Sequence, residues 1–76
     1  MNDTLNNVPI NQSVIVKNIC CQENIKRRLL DLGIVENTMI TPIFRSPTDD
    51  STAFEVRGSV ISLRQDDSSK IFINKN

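Results

Sequence analysis

Gly33 closes the one stretch of the chain that reads as a helix, and this stop constrains everything after it. Before it, Ile25, Leu29 and Leu32 recur at the i, i+4, i+7 spacing of a buried helical face, with Leu30 widening the stripe. Lys26, Arg27, Arg28 and Asp31 fall largely on the opposite side, so the spacing predicts a helix from about Gln22 to Leu32. A residue without a Cβ takes the left-handed C-cap at least cost, and Ile34 is placed to fold back onto the last turn. Asn37 offers a second left-handed position, because short amides tolerate positive φ better than other non-glycine residues. Arg27 to Thr38 therefore predicts a helix, a glycine stop, a tight corner and a return to extended chain.

The remainder reads as short strands joined by polar turns. Val14 to Ile19 places Val14 and Val16 on one face and Ile15 on the other. Thr38 to Arg45 follows the corner, with Ile40 inward and Pro42 restricted to an edge, a bulge or a bend because it cannot donate to a ladder. After the polar loop Ser46–Thr52, the segment Ala53 to Arg57 puts Phe54 and Val56 opposite Glu55 and Arg57. Gly58 suits a bulge or corner before Ser59 to Arg64, where Ile61 and Leu63 alternate with Ser62 and Arg64. Gln65–Ser69 reads as one 3₁₀ turn, and Lys70 to Asn74 as a last strand with Ile71 and Ile73 inward and Phe72 outward. Residues 1–7 are expected to be loose, with Leu5 packing on Val8 or Ile10. The fold expected is mainly β: a small antiparallel barrel of roughly five strands, with one helix after the first strand.

Seventy-six residues form a single domain, residues 1–76. A chain this short buries only about 60% of its unfolded surface, so it needs nearly all its large apolar residues inside. Nine basic and nine acidic residues cancel, which argues against nucleic acid, since a binder of phosphates carries a basic excess. No apolar run approaches the roughly 20 residues of a membrane span. The amino terminus lacks the positive and apolar parts of a secretory signal, so the expected compartment is the cytoplasm. Cys20 and Cys21 are adjacent, a geometry in which a disulfide distorts the intervening peptide; they are read as reduced thiols at a strand end.

With no histidine and no tyrosine, few groups remain for chemistry: Asp31, Glu36, Asp49, Asp50, Glu55, Asp66, Asp67, the lysines and the thiols. The pairs Asp49–Asp50 and Asp66–Asp67 sit in turns, where carboxylates bond nearby amides, and neither has the ligand spacing of a calcium loop. The expectation is no catalytic set, no cofactor and no metal site. Lys26, Arg27 and Arg28 read as a solvated face that also suits the helix dipole, with contact to an acidic partner surface as the alternative. The outer strand faces say more. Met39, Ile43 and Phe72 are apolar where a half-solvated strand would be polar, and together they would make an association patch.

Arg28-Leu29-Leu30-Asp31-Leu32-Gly33-Ile34, taken with Phe44-Arg45-Ser46-Pro47, resembles the FeoA proteins, small cytoplasmic SH3-like barrels of bacterial ferrous iron uptake. That family carries an Arg-Leu-x-x-Leu-Gly helix end, a glycine before its second strand, and a Ser-Pro-x-Gly-Asp-Pro loop. Ala53-Phe54-Glu55-Val56-Arg57-Gly58 and Ile61-Ser62-Leu63-Arg64 resemble its later strands and glycine corner, so the likeness spans about residues 8–74. Asn37 stands at the usual glycine, while Asp49 and Ser51 replace the loop's glycine and proline. The resemblance implies a structural motif of Arg28, Leu29, Leu32, Gly33, Asn37 and Gly58, with Arg28 hydrogen-bonding near the corner. It also implies a non-enzymatic adaptor that docks on the cytoplasmic part of the FeoB iron transporter. Met39, Ile43 and Phe72 are the expected contact surface, with Arg45, Ser46 and Pro47 at its rim. A second copy of the chain is a further candidate partner through the apolar strand face. The alternative is a small SH3-like regulatory domain akin to the C-terminal domain of iron-dependent repressors, although no helix-turn-helix precedes it here.

Overall fold

The glycine stop forms as a complete C-terminal cap. In a computed structural model that describes residues 3–19 and 23–74, helix α1 runs Glu23–Asp31. Gly33 follows at φ 88°. Its N–H donates to the Leu30 carbonyl, and the Ile34 N–H donates to the Leu29 carbonyl, both at 2.9 Å. Those two bonds are the Schellman pair, and the residues it brings together, Ile34 and Leu29, both lie in the core. Asn37 has φ 71°. There its N–H donates to Val16 at 2.7 Å, while the Val16 N–H donates to Thr38 at 2.9 Å. The corner after the helix is thus stitched to a strand already in place.

One six-stranded antiparallel sheet carries the rest, in the order β1-β6-β2-β3-β4-β5. The strands are β1 (Asp3–Thr4), β2 (Val14–Ile19), β3 (Met39–Arg45), β4 (Ser51–Val56), β5 (Ser59–Arg64) and β6 (Ile71–Asn74). Alternation puts Val14, Val16, Ile40, Phe54, Val56, Leu63, Ile71 and Ile73 inside, against Leu5, Val8, Leu29 and Ile34. Pro42 pairs with Phe54 beyond the short β2–β3 ladder, next to a shift of register before Phe44. A proline thus sits where no ladder bond is missed.

Four details differ from the sequence expectation. Residues 3–7 are not loose, residues 1–2 lying outside the described residues: Asp3 and Thr4 pair with Ile73 and Phe72, a 3₁₀ turn follows at Leu5–Asn7, and Leu5 is fully buried. A sixth strand results. The turn after β5 is one turn of α-helix, α2 (Gln65–Ser68), rather than 3₁₀. Arg57 leaves β4 and forms a two-residue hairpin turn with Gly58; their φ values of 53° and 82° have the signs that a type I′ turn requires. Finally, the helix buries a narrower stripe than its leucines imply. Leu29 is 1% exposed and Ile25 packs on the core, yet Leu30 and Leu32 are 57% and 37% exposed.

The sheet rolls around this core without hydrogen bonds between its edge strands, β1 and β5. Helix α2 packs against both β5 and the 3₁₀ turn and so fills the seam. Its Ser68 is fully buried there, and the hydroxyl donates to the Gln65 carbonyl at 3.2 Å; among the described residues no buried polar side-chain atom is left unpaired. Cys20 and Cys21 lie outside the described residues.

Candidate functional site: the outer sheet face and its adjoining groove

The outward positions of β2, β3 and β6 carry Ile15, Met39 and Phe72. Met39 is directly opposite Ile15, and Ile15 is opposite Asn74, two residues along β6 from Phe72. Ile15 therefore links Met39 and Phe72 in a diagonal apolar row across the outer face. Met39 is the exposed member at 58%, while Ile15 and Phe72 are half-buried. Beside Met39 lies a shallow depression of about 270 Å³ lined by Thr41, Glu55, Arg57 and Gly58.

Ile43 does not join that row. It falls in the register shift between Pro42 and Phe44 and is half-buried, and the shift gives the solvated place to Phe44, 60% exposed. Sequence parity could not locate Phe44, because one bulged residue moves every later side chain to the other face. The signal available was Pro42 itself, whose missing N–H favours a bulge. Arg45, Ser46 and Pro47 border Phe44, not Met39: Met39 and Arg45 stand at opposite ends of β3, about 20 Å apart at the rise of a β-strand. Val60 of β5, 61% exposed, is a further apolar outward residue that the sequence reading left out.

The loop between β3 and β4 is ordered by hydroxyls. Ser46 and Thr48 both donate to the Asp50 carboxylate at 2.8 Å, and the Ser51 N–H reaches back to the Ser46 hydroxyl at 3.3 Å. The Ser46 and then the Thr48 hydroxyl hold the Asp50 carboxyl below the usual carboxylate range, because they bond its charged form. Asp49 takes φ 62°, the left-handed conformation a glycine would adopt at that place. Arg45 contacts this loop through Asp49 at 4.0 Å and reaches the Val8 carbonyl at 3.5 Å; such an exposed pair adds little to stability.

Behind the loop, Thr48–Ser51, Ser62 and Arg64 of β5, Gln65, Asp66 and Arg28 of α1 enclose a polar groove of about 650 Å³. Arg28 lines this groove, and its guanidinium makes no hydrogen bond or ion pair within the described residues, so it is the Arg28 carbonyl, accepting from the Leu32 N–H at 3.1 Å, that bonds near the corner. A second groove, about 320 Å³ and mostly apolar, lies between Ile19, Lys26, Leu30, Ile34, Val35 and Glu36. Among the described residues no three His, Cys, Asp or Glu side chains gather as metal ligands would. No helix among them is long and apolar enough to cross a membrane.

A rolled antiparallel sheet of six strands, with one helix after the second, defines the SH3-like class of small mainly β domains. Within that class the chain belongs to the FeoA family, whose domain model matches residues 4–75. A curated Campylobacter jejuni protein named "Putative Fe(2+) transport protein A" is 30% identical over 71 residues, which cover 93% of this chain and 96% of that one. The solution structure of a FeoA-like protein from Clostridium acetobutylicum superposes with a TM-score of 0.88 at 31% identity, over 97% of this chain and 86% of that one. A manganese-dependent transcriptional repressor shares the fold at a TM-score of 0.90 and 13% identity, over 99% of this chain but 37% of the repressor. At that identity the likeness is one of fold alone.

Proposed function

We propose that the chain is a cytoplasmic, non-enzymatic adaptor of ferrous iron uptake that docks on the cytoplasmic part of a FeoB-type transporter and biases its conformational state. The observation that carries this reading is the exposure of Met39 and Phe44 on one strand of a chain too small to leave large apolar residues idle. Family membership supplies the iron connection. Docking regulates only if the adaptor binds two conformations of the partner unequally, because equal affinity shifts no equilibrium. The contact surface is Met39, Phe44 and Phe72, with Ile43 supporting it from the bulge and Arg45, Ser46 and Pro47 beside Phe44.

The test is binding of the purified chain to the transporter's isolated cytoplasmic part, measured by titration calorimetry. Met39→Asp and Phe44→Asp should each weaken association at least tenfold, about 1.4 kcal/mol, while leaving the unfolding midpoint nearly unchanged. Undiminished binding by both variants would exclude this surface.

A further inference from the structure

The two edges of the sheet are unlike. Strand β1 offers only Asp3 and Thr4, a blunt edge of the kind natural sheets use to discourage pairing. Strand β5 offers six residues, with neither a charge nor a proline from Ser59 to Leu63. Val56 opposes Ser59 across the two-residue turn, so these two exchange ladder bonds, and the alternation leaves Val60 and Ser62 with N–H and C=O directed away from β4. The Gln65 N–H, donating to the Asp50 carbonyl at 3.0 Å, falls where the same alternation places it. Among the described residues no strand pairs with β5 on that side, and Val60 and Ser62 are exposed.

The strand that completes this edge best is β5 of a second copy. A two-fold antiparallel pairing can centre on Val60, Ile61 or Ser62. Centring on Val60 sets Ser62 against Gly58, which lies in the hairpin turn at φ 82°. Centring on Ser62 sets Val60 against Arg64, the N-cap of α2, whose carbonyl the helix takes. Centring on Ile61 sets Val60 against Ser62 on both sides of the axis, so each free N–H and C=O of these residues meets a partner.

The side chains agree with that register. Ile61, half-buried against the core, meets Ile61 of the other copy at the axis, in the kind of pair that brings side chains closest. Val60 lies beside Ser62. Arg64, whose charge acts on the Asp50 carboxylate of its own copy, comes level with Gly58, which has no side chain to oppose it. Arg57 in the hairpin turn comes level with Gln65, where the first turn of α2 carries Asp66 and Asp67. Opposite charges therefore meet at both ends of the pairing. The surroundings do not select a foreign strand of either charge, since the groove behind β5 holds Asp49, Asp50 and Asp66 against Arg28 and Arg64.

We propose that β5 is the dimer edge of this chain: two copies pair antiparallel about Ile61, each adding its six strands to one continuous sheet. The two-fold axis then stands perpendicular to the sheet, so the outer faces of both copies, each with its Met39, point to the same side. The pairing does not depend on docking, nor docking on the pairing. A ladder this short buries less than the roughly 1,200 Å² of a stable complex, so the dimer is weak and forms at about 0.1–1 mM chain.

Sedimentation velocity and amide exchange by NMR on the full chain, from about 0.02 to about 2 mM, test it. The mass should approach double over that range, and the Val60 and Ser62 amides should slow at least twofold as it does. In a mixture of isotope-labelled and unlabelled chains, filtered NOEs should join Ile61 of one copy to Ile61 of the other. Ser62→Pro removes one outward donor without touching the β4 ladder and should leave the chain monomeric, whereas Ser62→Ala should dimerise as the native chain does. Should the proline variant fail to fold, Val60→Lys, which puts a charge on the edge, takes its place. Arg57→Glu should weaken dimerisation several-fold at low salt and less at high salt. A native chain still monomeric at about 2 mM would overturn the proposal, and so would a dimer whose Val60 and Ser62 amides exchange as in the monomer. Slowing that appears only when the transporter's cytoplasmic part is added would give the edge to a foreign strand and equally overturn it.

Discussion

The two faces of this sheet bury the same kinds of residue to opposite extents. On adjacent strands Phe54 is 1% exposed and Phe44 is 60% exposed, although both are phenylalanines. The helix repeats the contrast within one peptide bond, with Leu29 in the core and Leu30 in solvent. An apolar residue in so small a chain is thus no guide to burial; the parity of its strand or its angle around the helix decides. The difference separates residues that hold the fold from residues left over for recognition.

Truncation of the two rings should give the largest difference between the faces. Phe54→Ala removes a buried ring from the centre of the sheet and should cost about 3–5 kcal/mol, enough to unfold much of a marginally stable domain. Phe44→Ala should cost roughly 0.5 kcal/mol or less, since the ring already faces water. Urea unfolding of both variants measures the pair. If the two losses were equal, the outer face would be structural and its proposed role in docking would fall.

How far this was legible in the sequence follows from which interactions are local. Helix α1, its Gly33 stop, the Asn37 corner and strands β2, β3, β5 and β6 were readable because spacing and φ preference are properties of neighbouring residues. Phe44 was not, because the bulge after Pro42 depends on the register with β4. The two residues of β1 were not, because pairing with β6 across the whole chain gives them their form. Leu30 and Leu32 were misplaced inside for a related reason: a helix of nine residues meets the sheet along one row, and periodicity alone cannot set the width of that contact. The fold was therefore largely readable, whereas the candidate surface was readable only in part.

A smaller effect separates conformational strain from packing. Nothing lies within 4 Å of where a Cβ on Gly33 would stand, so Gly33→Ala meets no clash and costs only the left-handed backbone conformation, about 1–2 kcal/mol. It should lower the unfolding midpoint while leaving the chemical shifts of Phe54 and its neighbours in place. Large shifts throughout the core would mean that the cap also sets the packing of Ile34 against Leu29.

The smallest expected effect concerns the surface loop, where order comes from hydroxyls and not from burial. The Ser46 and Thr48 bonds hold the Asp50 pKa below its ordinary value, so the folded chain takes up that proton less readily than the unfolded chain does. The sign follows by linkage: the contribution is intact above the ordinary carboxylate pKa of about 4 and is lost as the pH falls through the lowered folded value. Asp50→Asn still offers an oxygen to both hydroxyls but no longer titrates. Its unfolding midpoint should therefore fall less than that of the native chain between neutral pH and about pH 3. Equal acid sensitivity in the two proteins would show that the loop's bonds do not distinguish the charged carboxylate, and that this part of the surface owes its shape to the backbone turn at Asp49.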